Sequence, residues 1–378
     1  MALTKYKLGE LIQYCDERNS KGKYSLNDVK GISIQKCFIE TKANMENVSL
    51  FPYILVKPDC FAYVTVTSRN GEKITIAHNT STKVYIVSSS YVVFQVKDTH
   101  LLCPDYLFMF FNRPEFDRYT RFNSWGSARE TFDWDTMCDI DIELPDITVQ
   151  QRYVRIYQSM VANQQSYERG LEDLKLLCDG YIEDLRKKVP CESIGKYLEL
   201  VDLRNEDLEY GLESVRGISI EKKFIETKAD MKDVNLRPYL LIRPNDFAYV
   251  TVTSRNGEKI SIAFNDTDST FICSSSYIVF RSNDIEKLWP QYLMLYFSRT
   301  EFNRYARFNS WGSARETFDW GEMQNVQIPI PDIKIQKAIA EIFTVYNTRK
   351  RINEQLKAQI KNICPILIRG SLEEGKAK

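Results

Sequence analysis

Histidine is almost missing from this sequence: only His78 and His100 occur among 378 residues. General acid–base chemistry most often uses histidine, and two isolated ones argue against a histidine-based active centre. Net charge is missing too, because 51 Lys and Arg balance 51 Asp and Glu. No overall basic field advertises a nucleic acid, although a local basic face suffices to bind one. None of the nine cysteines forms a C-x-x-C pair, which removes common zinc and redox spacings. They read as reduced, mostly buried thiols. No apolar run approaches the roughly 18 residues of a membrane span, and the opening MALTKYKLGEL has no signal-peptide core. The expectation is a soluble cytoplasmic protein with no membrane partner. Nucleotide hydrolysis, dinucleotide binding and amino-methyl transfer also lack their motifs: there is no G-x-x-x-x-G-K-[ST], no G-x-G-x-x-G after a strand and no [ND]-P-P-[YF].

What the sequence does have is itself, twice. RFNSWGSARETFDW runs from Arg121 to Trp134 and again from Arg307 to Trp320, an offset of 186 residues. FAYVTVTSRNGEKI recurs at the same offset, at Phe61–Ile74 and Phe247–Ile260, as does GISI…KxFIETKA at Gly31 and Gly217. A period this long excludes a solenoid, so each copy is a domain with its own core. Cys178 and Cys364 alone among the cysteines occupy equivalent positions; a disulfide framework or zinc site would recur throughout both copies. The histidines do not recur, since Phe264 and Glu286 stand in their places.

Each copy opens with a short amphipathic stretch, Lys7–Asn19 or Ser193–Asn205. Short β-branched and aromatic runs follow at Tyr53–Val56, Phe61–Thr67, Ile74–Ala77, Tyr85–Val87 and Tyr91–Val96. Asn70-Gly71, repeated as Asn256-Gly257, is a hairpin signal, because a type I′ turn needs positive φ at both central residues. Pro104–Phe116 and Pro290–Phe302 read as buried helices with Pro near the first turn. The repeated run reads as loop and turn, then a short strand ends at Pro145 or Pro331. A mostly apolar series at unbroken 4-3 spacing follows, from Tyr153 through Gln164 to Leu185 and from Ile335 through Asn353 to Ile363. That is the seam of a coiled coil. A helix of about 38 residues is about 57 Å long and cannot hide its stripe alone, so the two pair. Gly170 and Gly180 weaken the first, and Pro365 ends or kinks the second. The fold class is α+β: β-rich domains at 1–146 and 191–332, joined by helices at 147–190 and 333–378.

One catalytic constellation is half-built. Glu40-Thr41-Lys42 and Glu226-Thr227-Lys228 supply the E-x-K of a metal-dependent nuclease, but Pro58-Asp59 lies on the wrong side and its counterpart is Pro244-Asn245. A metal site needs its carboxylates, so these read as surface strand ends. The candidate binding residues are polar and basic side chains on loops. They are Ser68, Arg69, Asn70 and Lys73 with Arg118, Arg121, Asn123, Ser124, Ser127 and Arg129, repeated as Ser254, Arg255, Asn256 and Lys259 with Arg304, Arg307, Asn309, Ser310, Ser313 and Arg315. Arginine forks match guanine O6/N7 and phosphates, asparagine matches adenine N6/N7, and serine hydroxyls suit phosphate oxygens. The bland alternative places Trp125 and Trp134 in the core and pairs Arg129 with Glu130 or Asp133. For the tryptophans the core placement is expected; for Arg69 and Lys73, solvent or ligand.

Two β-rich copies, each ending in I-x-[IL]-P-D before a long helix that opens with glutamine (Pro145/Gln151 and Pro331/Gln336), resemble the specificity subunit of type I restriction-modification systems. The resemblance spans essentially the whole chain. It implies two target-recognition domains reading a bipartite site in double-stranded DNA, with the helices forming an antiparallel coiled coil that acts as a ruler. It implies two methyltransferase subunits and motor-nuclease subunits as partners. S-adenosylmethionine, ATP and Mg would belong to those partners, leaving this chain with no cofactor, no metal and no active site of its own. Family members usually carry dissimilar domains, whereas identical loops about an approximate twofold axis imply matching, near-palindromic half-sites. The copies diverge at His78–Lys83 against Phe264–Ser269. The alternative is a stand-alone twin-domain scaffold for protein partners; steep salt dependence would mark DNA.

Overall fold

The strand Phe61–Val64 holds the first domain together. It lies between Tyr91–Val96, with Phe61 opposite Phe94, and Ile76–His78, with Phe61 opposite His78. Ile12–Cys15 flanks Tyr91–Val96 and completes a four-stranded antiparallel sheet. The computed structural model describes residues 3–68, 73–127, 129–227, 229–253, 259–313 and 315–377. Successive side chains of a strand face opposite ways. Phe61 and Tyr63 therefore enter one core with Ile76, Phe94, Leu107 and Phe111, while Ala62 enters a second with Ile54, Val56, Val87 and Val93. Burial on both faces explains the near-continuous apolar runs. Smaller antiparallel pairs join Ile54–Val56 to Tyr85–Val87 and Lys30–Ile32 to Phe38–Glu40.

The helix expected over Pro104–Phe116 is two helices, Pro104–Phe111 and Pro114–Phe122. Arg113 between them is extended (ψ 142°), as the residue before a proline prefers. The second copy has Thr300 instead of proline, yet Arg299 is extended as well (ψ 152°) between Pro290–Ser298 and Thr300–Phe308. There the guanidinium is buried and donates to Asp179 at 3.2 Å and to Glu183. Packing breaks the second helix where chain chemistry breaks the first.

A short helix, Trp134–Cys138, is capped by Asp133, whose carboxylate accepts from the Thr136 backbone at 2.7 Å. The strand Asp141–Leu144 then returns to pair with Thr4–Lys7. The second domain repeats the order: Leu198–Leu200, Tyr277–Ser282, Phe247–Val250 and Ile262–Phe264 form its four-stranded sheet, and Gln327–Pro329 pairs with Cys191–Ser193.

The long helices are Ile147–Lys188 and Ile333–Ala377. Pro365 does not end the second one. Cys364, Leu367 and Ile368 around it are buried in the first core, which offsets the roughly 3 kcal/mol an interior proline costs. The chain divides into two units, residues 1–166 with 353–378 and residues 167–352. Each therefore holds one domain, the first half of the helix that follows it and the last half of the other helix. In the first unit Arg152 pairs with Glu374 and Gln164 with Asn353, so the halves run antiparallel. In the second, Cys178, Ile182 and Leu185 share a core with Ile339, Ala340 and Phe343. All nine cysteines are free thiols: four are buried, Cys15, Cys103 and Cys138 are half-buried, and Cys37 and Cys191 are exposed. The equivalent pair, Cys178 and Cys364, fill matching positions in the two cores.

Each helix is anchored to its domain by one glutamine. Gln150, fully buried, donates from Nε2 to the carbonyls of Pro145 (2.9 Å) and Leu101 (3.0 Å) and accepts from the Cys103 backbone at 3.0 Å. Gln336 does the same with Pro331 (2.9 Å), Lys287 (2.8 Å) and Trp289 (2.9 Å). The motif glutamine of the first copy is thus Gln150, not the exposed Gln151.

Candidate nucleic-acid interface

The two loop clusters picked out from the sequence meet on one edge of each domain. Beyond Val64, whose N–H donates to Thr75 at 3.0 Å, the outgoing chain leaves the hairpin ladder. Val66 instead bridges Thr131, the Thr67 N–H donates to Glu130 O at 3.0 Å, and the Phe132 N–H donates to Thr65 O at 2.8 Å. The repeated loop is itself closed by reciprocal bonds between Trp125 and Thr131, at 3.1 and 2.9 Å. Gly126 at its bend has φ 141°, and a Cβ there would stand 2.3 Å from Arg129 O, so only glycine fits. Val252–Thr317, Thr253–Glu316, Trp311–Thr317 and Gly312 repeat this geometry. The Asn70-Gly71 and Asn256-Gly257 turns lie outside the described residues, as do candidates Arg69, Asn70, Ser254, Arg255 and Asn256.

The remaining candidates divide by what their side chains do. Ser68, Ser127, Arg129, Ser313 and Arg315 are exposed. No ion pair engages Arg129 or Arg315 among the described residues; Glu130 and Asp133, the expected partners, are held by Arg121 and Thr136. Arg118 and Arg304 are exposed beside Glu115 (3.4 Å) and Glu301 (3.3 Å). Arg121 and Arg307 are ion-paired to Glu130 and Glu316 and brace the loop. Lys73 is half-buried, whereas Lys259 is exposed and bonded to Glu221 at 2.8 Å.

Asn123, Asn309, Ser124 and Ser310 are corrected from ligand donors to helix caps. Asn123 and Asn309 donate to the Tyr119 and Tyr305 carbonyls at 2.9 Å. Ser124 and Ser310 are each only 6% exposed and donate to the Thr120 and Ala306 carbonyls at 2.5 and 2.6 Å. These four side chains end a helix and aim the loop, because a helix leaves its last carbonyls without partners.

The aromatic residues need the opposite correction. Trp134 and Trp320 pack in the cores as expected, with ring centroids 5.5 and 5.3 Å from Phe94 and Phe280. Trp125 and Trp311 do not: they are 68% and 63% exposed. Phe122 and Phe308, passed over in the sequence, are 77% and 79% exposed. A signal was available, since PEFDRYTRF buries Phe116 and Thr120 and leaves Phe122 off that face.

Beneath the returning strand sits a buried lysine. Lys36 Nζ lies 2.8 Å from Asp117 Oδ1 and donates to Phe111 O at 2.5 Å, and the Ile74 N–H donates to Asp117 at 3.3 Å. In the second unit Asn303 replaces Asp117: Lys222 donates to its Oδ1 at 2.6 Å and to Phe297 O. Burial lowers the pKa of both lysines. Asp117 opposes this for Lys36, whereas Lys222, with Lys259 nearby, is pushed down to about 7. The divergent loop is remote from this edge. Asn79 and Asn265 pair with Asp59–Cys60 and Asn245–Asp246 at the other end of the strands.

His78 is buried, stacks on Phe61 at 4.4 Å and lies between two carboxylates, with Nδ1 3.3 Å from Asp105 and Nε2 3.7 Å from Asp59. Glu40 is an exposed strand end paired with Lys30; Lys228 lies outside the described residues. Among the described residues no His/Cys/Asp/Glu group could hold a metal, and no helix is long and apolar enough to cross a membrane.

Residues 240–362 match the family model described as the type I restriction modification DNA specificity domain. That match covers three of the four strands of the second domain's sheet, its short helices and the first part of the long helix, and the first domain repeats the same elements. Among solved structures, the type I restriction-modification system S subunit from M. genitalium is 11% identical with a TM-score of 0.57, over 99% of this chain and 96% of that one. The HsdS subunit from Thermoanaerobacter tengcongensis is 15% identical with a TM-score of 0.42, over 98% and 96%. At such identity the first of these shows a likeness of fold alone. A comparison with curated proteins finds no match.

Proposed function

We propose that this chain is the non-catalytic DNA-recognition subunit of a type I restriction-modification complex. Each domain reads one half of a bipartite site, and the antiparallel helices set the spacing between the halves. Methyltransferase subunits, and motor-nuclease subunits where restriction occurs, are the partners; S-adenosylmethionine, ATP and Mg act on those subunits. The carrying observation is the convergence, in both units, of the hairpin base and the repeated loop on one edge, which presents Ser68, Arg118, Ser127 and Arg129 in the first and Arg304, Ser313 and Arg315 in the second. Exposed guanidinium and hydroxyl groups suit phosphates and base edges. Because these loops are identical and the divergent loop lies at the far end of the strands, the two half-sites match and the site is near-palindromic.

Mapping methylated adenines in the source genome, with and without this chain, tests the reading. Loss of methylation at one motif built of two matching half-sites is expected. Two unrelated half-sites would overturn the palindrome, and an unchanged methylome would overturn the role itself.

A further inference from the structure

The exposed aromatic pairs are not accounted for by guanidinium and hydroxyl contacts. Phe122 ends its helix and Trp125 follows three residues later, and both stand largely in solvent in each copy. Large apolar side chains held this far into water signal a surface that something covers. The mounting is rigid: capping by Asn123 and Ser124, the Arg121–Glu130 pair, the Trp125–Thr131 bonds and the glycine at position 126 all fix this turn. A rigid aromatic tip loses little conformational entropy on binding.

Its neighbours indicate the occupant. Arg118, exposed beside Glu115, lies one helical turn before Phe122, and the exposed Arg129 follows Trp125 on the loop with no acidic partner among the described residues. Aromatic side chains interleaved with exposed guanidinium groups fit a ligand that offers stacked planar rings between anionic rails. Duplex DNA is that ligand, and apolar side chains that enter base steps are a known way to unstack and kink it. The identical pair in both copies requires the same ligand at both, as matching half-sites supply.

We infer that Phe122 and Trp125, with Phe308 and Trp311, are wedges that enter a base step of duplex DNA while the flanking arginines hold its phosphates. This rests on the DNA reading above and adds deformation of the duplex to it, so that specificity would include how easily the contacted step opens.

The test uses the complex purified through this full-length chain. It first selects duplexes from a randomised pool, then titrates the selected duplex while tryptophan emission is followed. Binding is expected to quench the exposed Trp125 and Trp311, and 2-aminopurine placed at one step of each half-site is expected to brighten as it unstacks. Phe122→Ala with Phe308→Ala should weaken binding about tenfold, with the salt slope unchanged because phosphate contacts remain. Trp125→Ala with Trp311→Ala should abolish the quench. Both pairs are solvent-exposed, and an unchanged circular dichroism melt confirms folding. An enriched duplex that binds without quenching or brightening overturns the wedge and spares the DNA reading. Failure to enrich any duplex overturns both. Loss of a co-purifying protein in these variants, with DNA affinity intact, assigns the aromatics to a protein contact and overturns the wedge.

Discussion

Gln164 Nε2 donates to Asn353 Oδ1 across 3.0 Å, and both side chains are buried between the two long helices of the first unit. Both occupy seam positions that the 4-3 spacing reserves for apolar residues. A polar pair at such a position costs stability and fixes register, because any slip leaves a buried amide without its partner. Gln164→Leu or Asn353→Leu alone should therefore lower unfolding free energy by about 1–3 kcal/mol. The double leucine variant should recover most of that loss. Urea denaturation of the four species gives the coupling directly, and a coupling near zero would remove the pair from register control.

The glutamine that opens each helix has more at stake. Replacing Gln150 by Leu removes the partner of two carbonyls and one N–H, at roughly 1–3 kcal/mol for each group left buried, that of Pro145 above all. Gln150→Leu should lower the urea midpoint of its unit sharply, and Gln336→Leu that of the second. Gln151→Ala, on the exposed side of the same turn, should change stability by no more than about 0.5 kcal/mol. Equal effects at 150 and 151 would show that the hydrogen-bond anchor is unimportant.

Much of this architecture was legible in the residues. The repeat, the positions of the strands from Ile54 to Val96 and the paired helices followed from identity, β-branched runs and 4-3 spacing, all of which are local signals. What stayed hidden depended on tertiary partners. The helix break at Arg299 comes from Asp179 and Glu183, more than a hundred residues away. Pro365 stays helical because its neighbours are buried. Ser124 looked like a ligand donor and is a cap, whereas Trp125 looked like core and is exposed. Residue type gives the same reading for both roles; only the fold separates them.

The Asp117-to-Asn303 difference makes the second unit pH-sensitive. Lys222 is held at about 7, so between there and the ordinary 10.5 the unfolded chain carries a proton that the native chain has released. Stability therefore rises with pH across that window, and the full penalty applies below about 7. Asn303→Asp should rebuild the ion pair seen at Lys36 and stabilise the protein by roughly 2–3 kcal/mol near pH 6. The gain should shrink as pH climbs toward 10. Urea midpoints of both proteins at several pH values measure this; a gain independent of pH would exclude Lys222 as its source.

Arg129 and Arg315 carry the sharpest test of the interface. Both are exposed on a loop whose neighbouring arginines, Arg121 and Arg307, are already committed to Glu130 and Glu316. Arg129→Ala with Arg315→Ala should weaken binding of the selected duplex while leaving the melt unchanged. If each guanidinium meets a phosphate, affinity falls alike on every sequence and the salt slope drops by about 1 per arginine. If each meets a base edge, one symmetric pair of positions loses about 1–3 kcal/mol of discrimination and the slope is hardly altered. Arg121→Ala with Arg307→Ala acts differently: it frees Glu130 and Glu316 and loosens the brace, so it should soften the loop as well as reduce affinity. Full affinity and full specificity in the Arg129/Arg315 variant would place the contact surface elsewhere on the domain.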